Sequence, residues 1–217
     1  MMPQSVSSST LCRMRDSQFP TVARNYQQIL ERAKNRLQLS RDDLVAVRSQ
    51  LASGEFEEDP YTLLHILGKA GDTESLPIIW KYLEFDSGNA DDDEMIRRIA
   101  LQVVGQMWAV PQAFDVAIDK AFNDPSDYVR AMAATVIGTL GSRYPQFKRA
   151  AAACLLRGTT QKEALDWYVW ESFYYALLQL LGVPASKWPQ HASGRLRESD
   201  VRDDVIAEAR TIVARSE

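Results

Sequence analysis

Three stretches near the middle of the chain repeat one pattern: TLLHILGKAG at residues 62–71, IALQVVGQMW at 99–108 and AMAATVIGTLG at 131–141. Aligned on Gly68, Gly105 and Gly138, they recur after 37 and 33 residues, with Leu63, Ala100 and Ala133 five places before those glycines. Apolar residues fill the intervening i+3 and i+4 positions, the period of one buried helical face. Each copy is followed by a turn and a second amphipathic segment, at 75–85, 111–122 and 144–156. One helical hairpin of this size cannot bury its apolar face alone. Hairpins recurring at such spacing must lean on one another, which is the mark of an α-solenoid.

The flanks extend the pattern. Val22, Tyr26, Leu30, Ala33 and Leu37 follow helical spacing. Ser40 with Asp43 three residues on predicts a helix start, Leu44, Val47 and Leu51 its stripe, and Ser53-Gly54 its end. A fourth, degenerate unit spans 166–182, where aromatics replace small residues as a terminal repeat allows, and Gly182 falls 41 residues after Gly141. Residues 183–194, with two prolines and Trp188, read as a loop, and 198–216 as a last helix with Val201, Val205, Ala209, Ile212 and Val213 on one face. No strict alternation of β-branched residues predicts a sheet. The Ser-rich residues 1–19 lack an apolar core and are expected to be a flexible leader, with 20–217 a single helical-repeat domain.

The segment DPSDYVRAMAATVIGTLGS at 124–142 resembles the HEAT-like repeat of the short bacterial type found in phycobilin lyase-like proteins, which reads D-x-x-V-R-x-x-A-x-x-x-L-G-x-L-G. Asp127, Val129, Arg130, Ala133, Ile137, Gly138, Leu140 and Gly141 carry the likeness. The copy at 94–107 keeps Ile96, Arg97, Ala100, Val104 and Gly105 without the second glycine, and the copy at 59–71 keeps Leu67, Gly68 and Gly71 with Leu63 in the small slot. The resemblance covers the central half of the chain well and the flanks poorly. It implies an all-α fold, an α-solenoid of antiparallel helical hairpins with about ten helices. It also implies that Asp and Arg cap and bridge neighbouring units, and that function sits on the solvent side of the second helices and in the loops.

No catalytic constellation emerges from the residues. His65 lies in an apolar repeat helix, where a structural role is expected, and His191 lies beside Pro189 with no neighbouring acid or cysteine for a triad. Cys12 and Cys154 form neither a disulfide framework nor a zinc pattern, which suits a reducing, cytoplasmic setting. The acidic run at 86–94 has its glycine third and its carboxylates bunched at the end, so it fits an inter-helix loop and helix start better than a calcium loop. No catalytic residue, cofactor or metal is therefore predicted. No apolar run approaches the roughly 20 residues needed to cross a bilayer.

Those exclusions leave recognition. A non-catalytic scaffold that binds another protein on the concave helical surface is the function expected, in its narrower form an antidote to a protein toxin. The acidic runs at 55–59 and 86–94 would attract a basic partner. Tyr168, Glu171 and Tyr175 share one stripe of the aromatic segment WYVWESFYY and, with Tyr82 expected to be partly exposed, are the candidate partner-binding residues. Trp167, Trp170, Tyr174, Leu177 and Leu181 form the stripe expected in the core, and Trp80 is expected to pack. The resemblance allows a chromophore-handling protein of phycobilin lyase-like type as an alternative. Nucleic-acid binding of the HEAT-like kind is disfavoured by a formal net charge of −4 and scattered basic residues.

Overall fold

The computed structural model describes residues 25–190 and 195–215. Among these, the chain is all-helical, with ten α-helices and no strand. They are α1 (Tyr26–Lys34), α2 (Arg41–Ser53), α3 (Pro60–Ala70), α4 (Leu76–Lys81), α5 (Ala90–Leu101), α6 (Ala113–Asn123), α7 (Asp127–Arg143), α8 (Lys148–Thr160), α9 (Trp167–Leu180) and α10 (Asp203–Ala214). The leader expected at 1–19 lies outside the described residues, as does Val22.

Local chemistry sets the helix ends. The Ser40–Asp43 capping box starts α2, and Gly54 closes it in the left-handed conformation that glycine adopts without a Cβ penalty. Asp59 accepts the Tyr61 N–H ahead of Pro60 to start α3, Ser126 accepts those of Tyr128 and Val129 to start α7, and Asp166 accepts that of Tyr168 to start α9. Two predicted helices are clearly shorter than their sequence pattern. The segment at 75–85 is helical only over α4, with 3₁₀ turns on either side. The last helix begins at Asp203, after a 3₁₀ turn at Glu198–Asp200, so Val201 lies ahead of it.

Packing joins alternate helices. α1 packs on α3, α3 on α5, α5 on α7 and α7 on α9. The glycines make these contacts possible. A Cβ on Gly68 would lie 2.9 Å from Met107 Sδ and 2.6 Å from Val103 Cγ2, one on Gly105 would lie 2.6 Å from Val136 Cγ2, and one on Gly138 would lie 2.8 Å from the Ala176 carbonyl oxygen. Gly68 and Gly105 thus each receive a residue two places ahead of the next segment's glycine, and Gly138 receives Ala176 of α9. By the same offset from Ala176, Leu178 stands in α9 where Gly138 stands in α7. Leu178 is fully buried and fills that place with bulk.

Side-chain pairs fix the relative directions. Tyr128 meets Tyr168, and further along Gln179 donates to Thr139 at 3.2 Å, so α7 and α9 run the same way. Phe114 stacks on Phe147 at 4.3 Å, and Arg157 lies over Phe122 at 4.2 Å, which aligns α6 with α8 in the same sense. α10 packs on α8, where the Arg149 Nε donates to the Val213 carbonyl at 3.1 Å.

Between α5 and α6 the backbone widens into a π-helical turn at Gln102–Met107. Trp108 then donates its indole N–H to the Gly68 carbonyl at 3.1 Å, and Ala109 takes a positive φ of 51°. The Tyr144 hydroxyl donates to the Ala109 carbonyl at 2.8 Å and holds that residue in place. A non-glycine residue at positive φ is thus held between two hydrogen bonds in the turn from α5 to α6.

Cys154 is buried on α8, and burial, opposed only weakly by Arg157, pushes its thiol up to about 12. Iodoacetamide at about pH 8 is therefore expected to modify Cys154 only as fast as the protein unfolds, since the thiolate is the reactive form. Mass spectrometry of the peptide carrying Cys154, with and without urea, measures this. Rapid modification without denaturant would contradict the burial.

Candidate functional site

A cleft of about 500 Å³ opens where the turn after α4, the first half of α5, the end of α6 and the start of α7 meet. Six carboxylates line it (Glu84, Asp86, Asp93, Glu94, Asp119 and Asp124) against two cations, Arg97 and Lys120. Both cations are engaged within the fold. Arg97 grips Asp124 through its Nε and Nη2 at 3.1 Å each, and its Nη1 donates to the Phe85 carbonyl at 3.2 Å. Lys120 lies 2.9 Å from Glu84 and 3.6 Å from Asp124. The Asp124 side chain is 2% exposed and that of Lys120 5%, so this is a buried charge network.

The rim of the cleft is held as firmly. The Ser126 hydroxyl donates to Glu94 at 2.6 Å and its backbone N–H donates to Asp124 at 3.0 Å. Asp93 accepts the Ser87 N–H at 2.8 Å and the Ser87 hydroxyl at 2.7 Å. Burial works to raise the Asp93 pKa, but those hydrogen bonds, the Gly88 N–H and Arg97 together hold it below the usual value. The acidic run at 86–94 is thus the loop and helix start that its spacing suggests, and no group of residues suited to a metal ion occurs among the described residues.

Two residues along α7 from Ser126 begins an aromatic cluster. Tyr128, Trp167 and Tyr168 are 52%, 42% and 37% exposed, half of the six exposed large hydrophobic residues described. The Tyr128 and Tyr168 rings lie 5.6 Å apart, those of Trp167 and Tyr168 5.8 Å apart. Arg195 lies over Trp167 at 4.4 Å, a cation–π contact. Nearby Arg130 stands one repeat after Arg97 but pairs with its own Asp127, and its Nε is buried without a protein acceptor.

The candidate residues fare differently. Tyr82 is not partly exposed. It is 6% exposed, stacks on Phe85 and donates its hydroxyl to the Leu51 carbonyl at 2.6 Å, because the short α4 turns it inward against α2. Tyr168 is exposed. Tyr175 is half-buried under Trp188, which stacks on it at 5.5 Å, and its hydroxyl donates to the Pro189 carbonyl at 3.2 Å. Burial first, then the Glu171 carboxylate, pushes the Tyr175 phenol up to about 12. Glu171 itself is half-buried beside it. So Tyr168 lies in the exposed cluster, while Tyr175 lies under the following loop with Glu171 beside it.

Trp167 is the reverse case, placed in the core by helical spacing yet exposed in the first turn of α9, whereas Trp170, Tyr174 and Leu177 are buried. Trp80 packs half-buried against the core. His65 sits edge-on to Tyr61, and burial, then Lys69 and Lys34, lower its pKa. His191 lies outside the described residues.

Two features escaped the sequence reading. Tyr128 sits in the repeat motif between Asp127 and Val129, where its outward direction follows from the burial of Val129. The Lys120–Asp124 pairing is visible as an i, i+4 spacing across a helix end.

No helix of the described residues is long and apolar enough to cross a membrane. Compared with protein-family models, with curated proteins and with solved structures, the chain matches none. Fold and site together define an all-helical chain with an acidic cleft beside an exposed aromatic cluster.

Proposed function

We propose that the chain is an α-solenoid of HEAT-like hairpins that acts as a non-catalytic scaffold for a basic protein partner. Successive packing of α3, α5, α7 and α9, with α6 aligned to α8, supports the stacking of hairpins. The glycines bring the first helices close, while bulky rings such as Phe114 on Phe147 space the second helices. That wedge favours the first-helix row as the inner, concave side, rather than the second-helix row that the repeat resemblance implies.

The reading is carried by one observation: the acidic cleft and the exposed Tyr128, Trp167 and Tyr168 share the edge where α7 begins. Carboxylates attract a basic surface and speed its encounter, and exposed rings supply the anchoring area. The same carboxylates repel phosphate, which weighs against nucleic acid.

A photoreactive amino acid in place of Met132 or Thr135, half-buried along the first-helix face of α7, is expected to crosslink to a basic protein in extract of the cells that make this chain. The same group at Ala153, exposed on α8, is expected to give no such adduct. Adducts from Ala153 alone, or from none of these positions, would defeat the proposal.

A further inference from the structure

We infer that the aromatic cluster at the start of α7 and α9 takes an arginine side chain of the partner, with the neighbouring cleft holding further basic residues of the same segment. This rests on the scaffold reading and names the chemistry that would recognise the partner. Tyr128 and Tyr168 present ring faces 5.6 Å apart and inclined at 58°, an open cup and not a closed stack. An inclined pair leaves ring faces free for a third planar group, and a guanidinium is the planar cation of a protein.

One ring of the cluster already carries such a group, since the chain's own Arg195 lies 4.4 Å from the centre of the Trp167 ring. Tyr128 is 52% exposed, the most open of the three aromatics. Of the local charges, Asp127 and Arg130 are paired with each other, and Arg195 lies over Trp167 on the far side of Tyr168 from Tyr128. On the Tyr128 side the field comes from the cleft beginning at Pro125 and Ser126, where six carboxylates face two cations already engaged inside the fold. An extended basic segment laid along this edge would place one guanidinium in the cup and its other cations against Asp86 and Asp119 in the cleft. Lysine would satisfy the cleft equally but stack less well on the rings.

The test uses the full chain and a short glycine–serine peptide carrying paired arginines, compared with its lysine twin. Binding is followed calorimetrically and by the chemical shifts of the Trp167 indole. The arginine peptide is expected to bind more tightly than the lysine twin. Tyr128→Ala and Tyr168→Ala should each weaken it about two- to thirtyfold, the range of exposed to desolvated cation–π contacts. Tyr128→Phe, which keeps the ring, should retain binding, as should Val45→Ala on the exposed face of α2. Equal affinity for both peptides, or full affinity in Tyr128→Ala with unchanged thermal unfolding, overturns the inference. So does preference for a single-stranded oligonucleotide over the peptide. A basic protein crosslinked from Met132 while the arginine peptide fails would sink this inference and leave the scaffold standing. Peptide binding without any protein adduct would do the opposite.

Discussion

Replacing Asp124 with alanine is expected to lower the unfolding free energy by about 3 kcal/mol, read as a fall in Tm of about 6–12 °C. The carboxylate is buried with two cations around it, and removal strands both. Arg97, 12% exposed in its side chain, would keep only the Phe85 carbonyl among the acceptors described, and Lys120 only Glu84. Those surviving contacts place the loss at the lower end of the range for breaking a buried ion pair. The loss should also be largely reversible by removing the charge that was stranded. Asp124→Ala combined with Arg97→Met is expected to recover more than half of the deficit, because an apolar side chain of similar length suffers no desolvation. Urea unfolding of the single and double variants measures both effects. A deficit below about 1 kcal/mol for Asp124→Ala would reduce the network to a surface pair. Failure of Arg97→Met to improve on it would show that the cost is lost packing and not a stranded charge.

The same network shows how far the sequence was readable. The repeat glycines, the Ser40–Asp43 box and the helix-ending Gly54 are local signals, each set by backbone geometry over a few residues, and the helical character of the chain follows from them. Arg97 stood out as a motif arginine that the repeat resemblance expects to bridge neighbouring units; what the fold gives it is a paired contact with Asp124 at the end of α6. That partner was not legible, because Asp124 lies 27 residues away and meets Arg97 only once α5 and α6 have packed. Tyr82 failed for a related reason. Its exposure depended on α4 being a full helix, and with α4 reduced to six residues the ring turns inward to reach Leu51. Trp167 failed because helical spacing says nothing about whether a first turn extends past its neighbour. The aromatic cluster combines both difficulties: Tyr128 and Tyr168 are 40 residues apart and become neighbours only through the parallel arrangement of α7 and α9.

The glycine contacts yield the sharpest test of the packing, because two principles predict opposite signs. By intrinsic propensity, glycine to alanine within a helix stabilises by about 1 kcal/mol. By packing, a Cβ at Gly105 would press on Val136, and one at Gly138 would lie 2.8 Å from the Ala176 carbonyl oxygen and 3.1 Å from its Cα. Overpacking of a tight interior costs about 1–3 kcal/mol, so both variants are expected to be less stable than the parent. They should differ in how they are rescued. At Gly105 the obstacle is the branched end of a side chain, and Val136→Ala removes both of its methyl groups. Gly105→Ala with Val136→Ala should therefore be less destabilised than the two single effects added together, by about 1 kcal/mol or more. At Gly138 the obstacle includes backbone. Ala176→Gly deletes only the Cβ, 3.0 Å away, and leaves the oxygen in place, so the same manoeuvre should recover little. Denaturant unfolding of these six proteins and the parent decides the matter. A stabilising Gly138→Ala would mean that α7 and α9 are not pressed together at this point, and the register in which Gly138 receives Ala176 would fail with it.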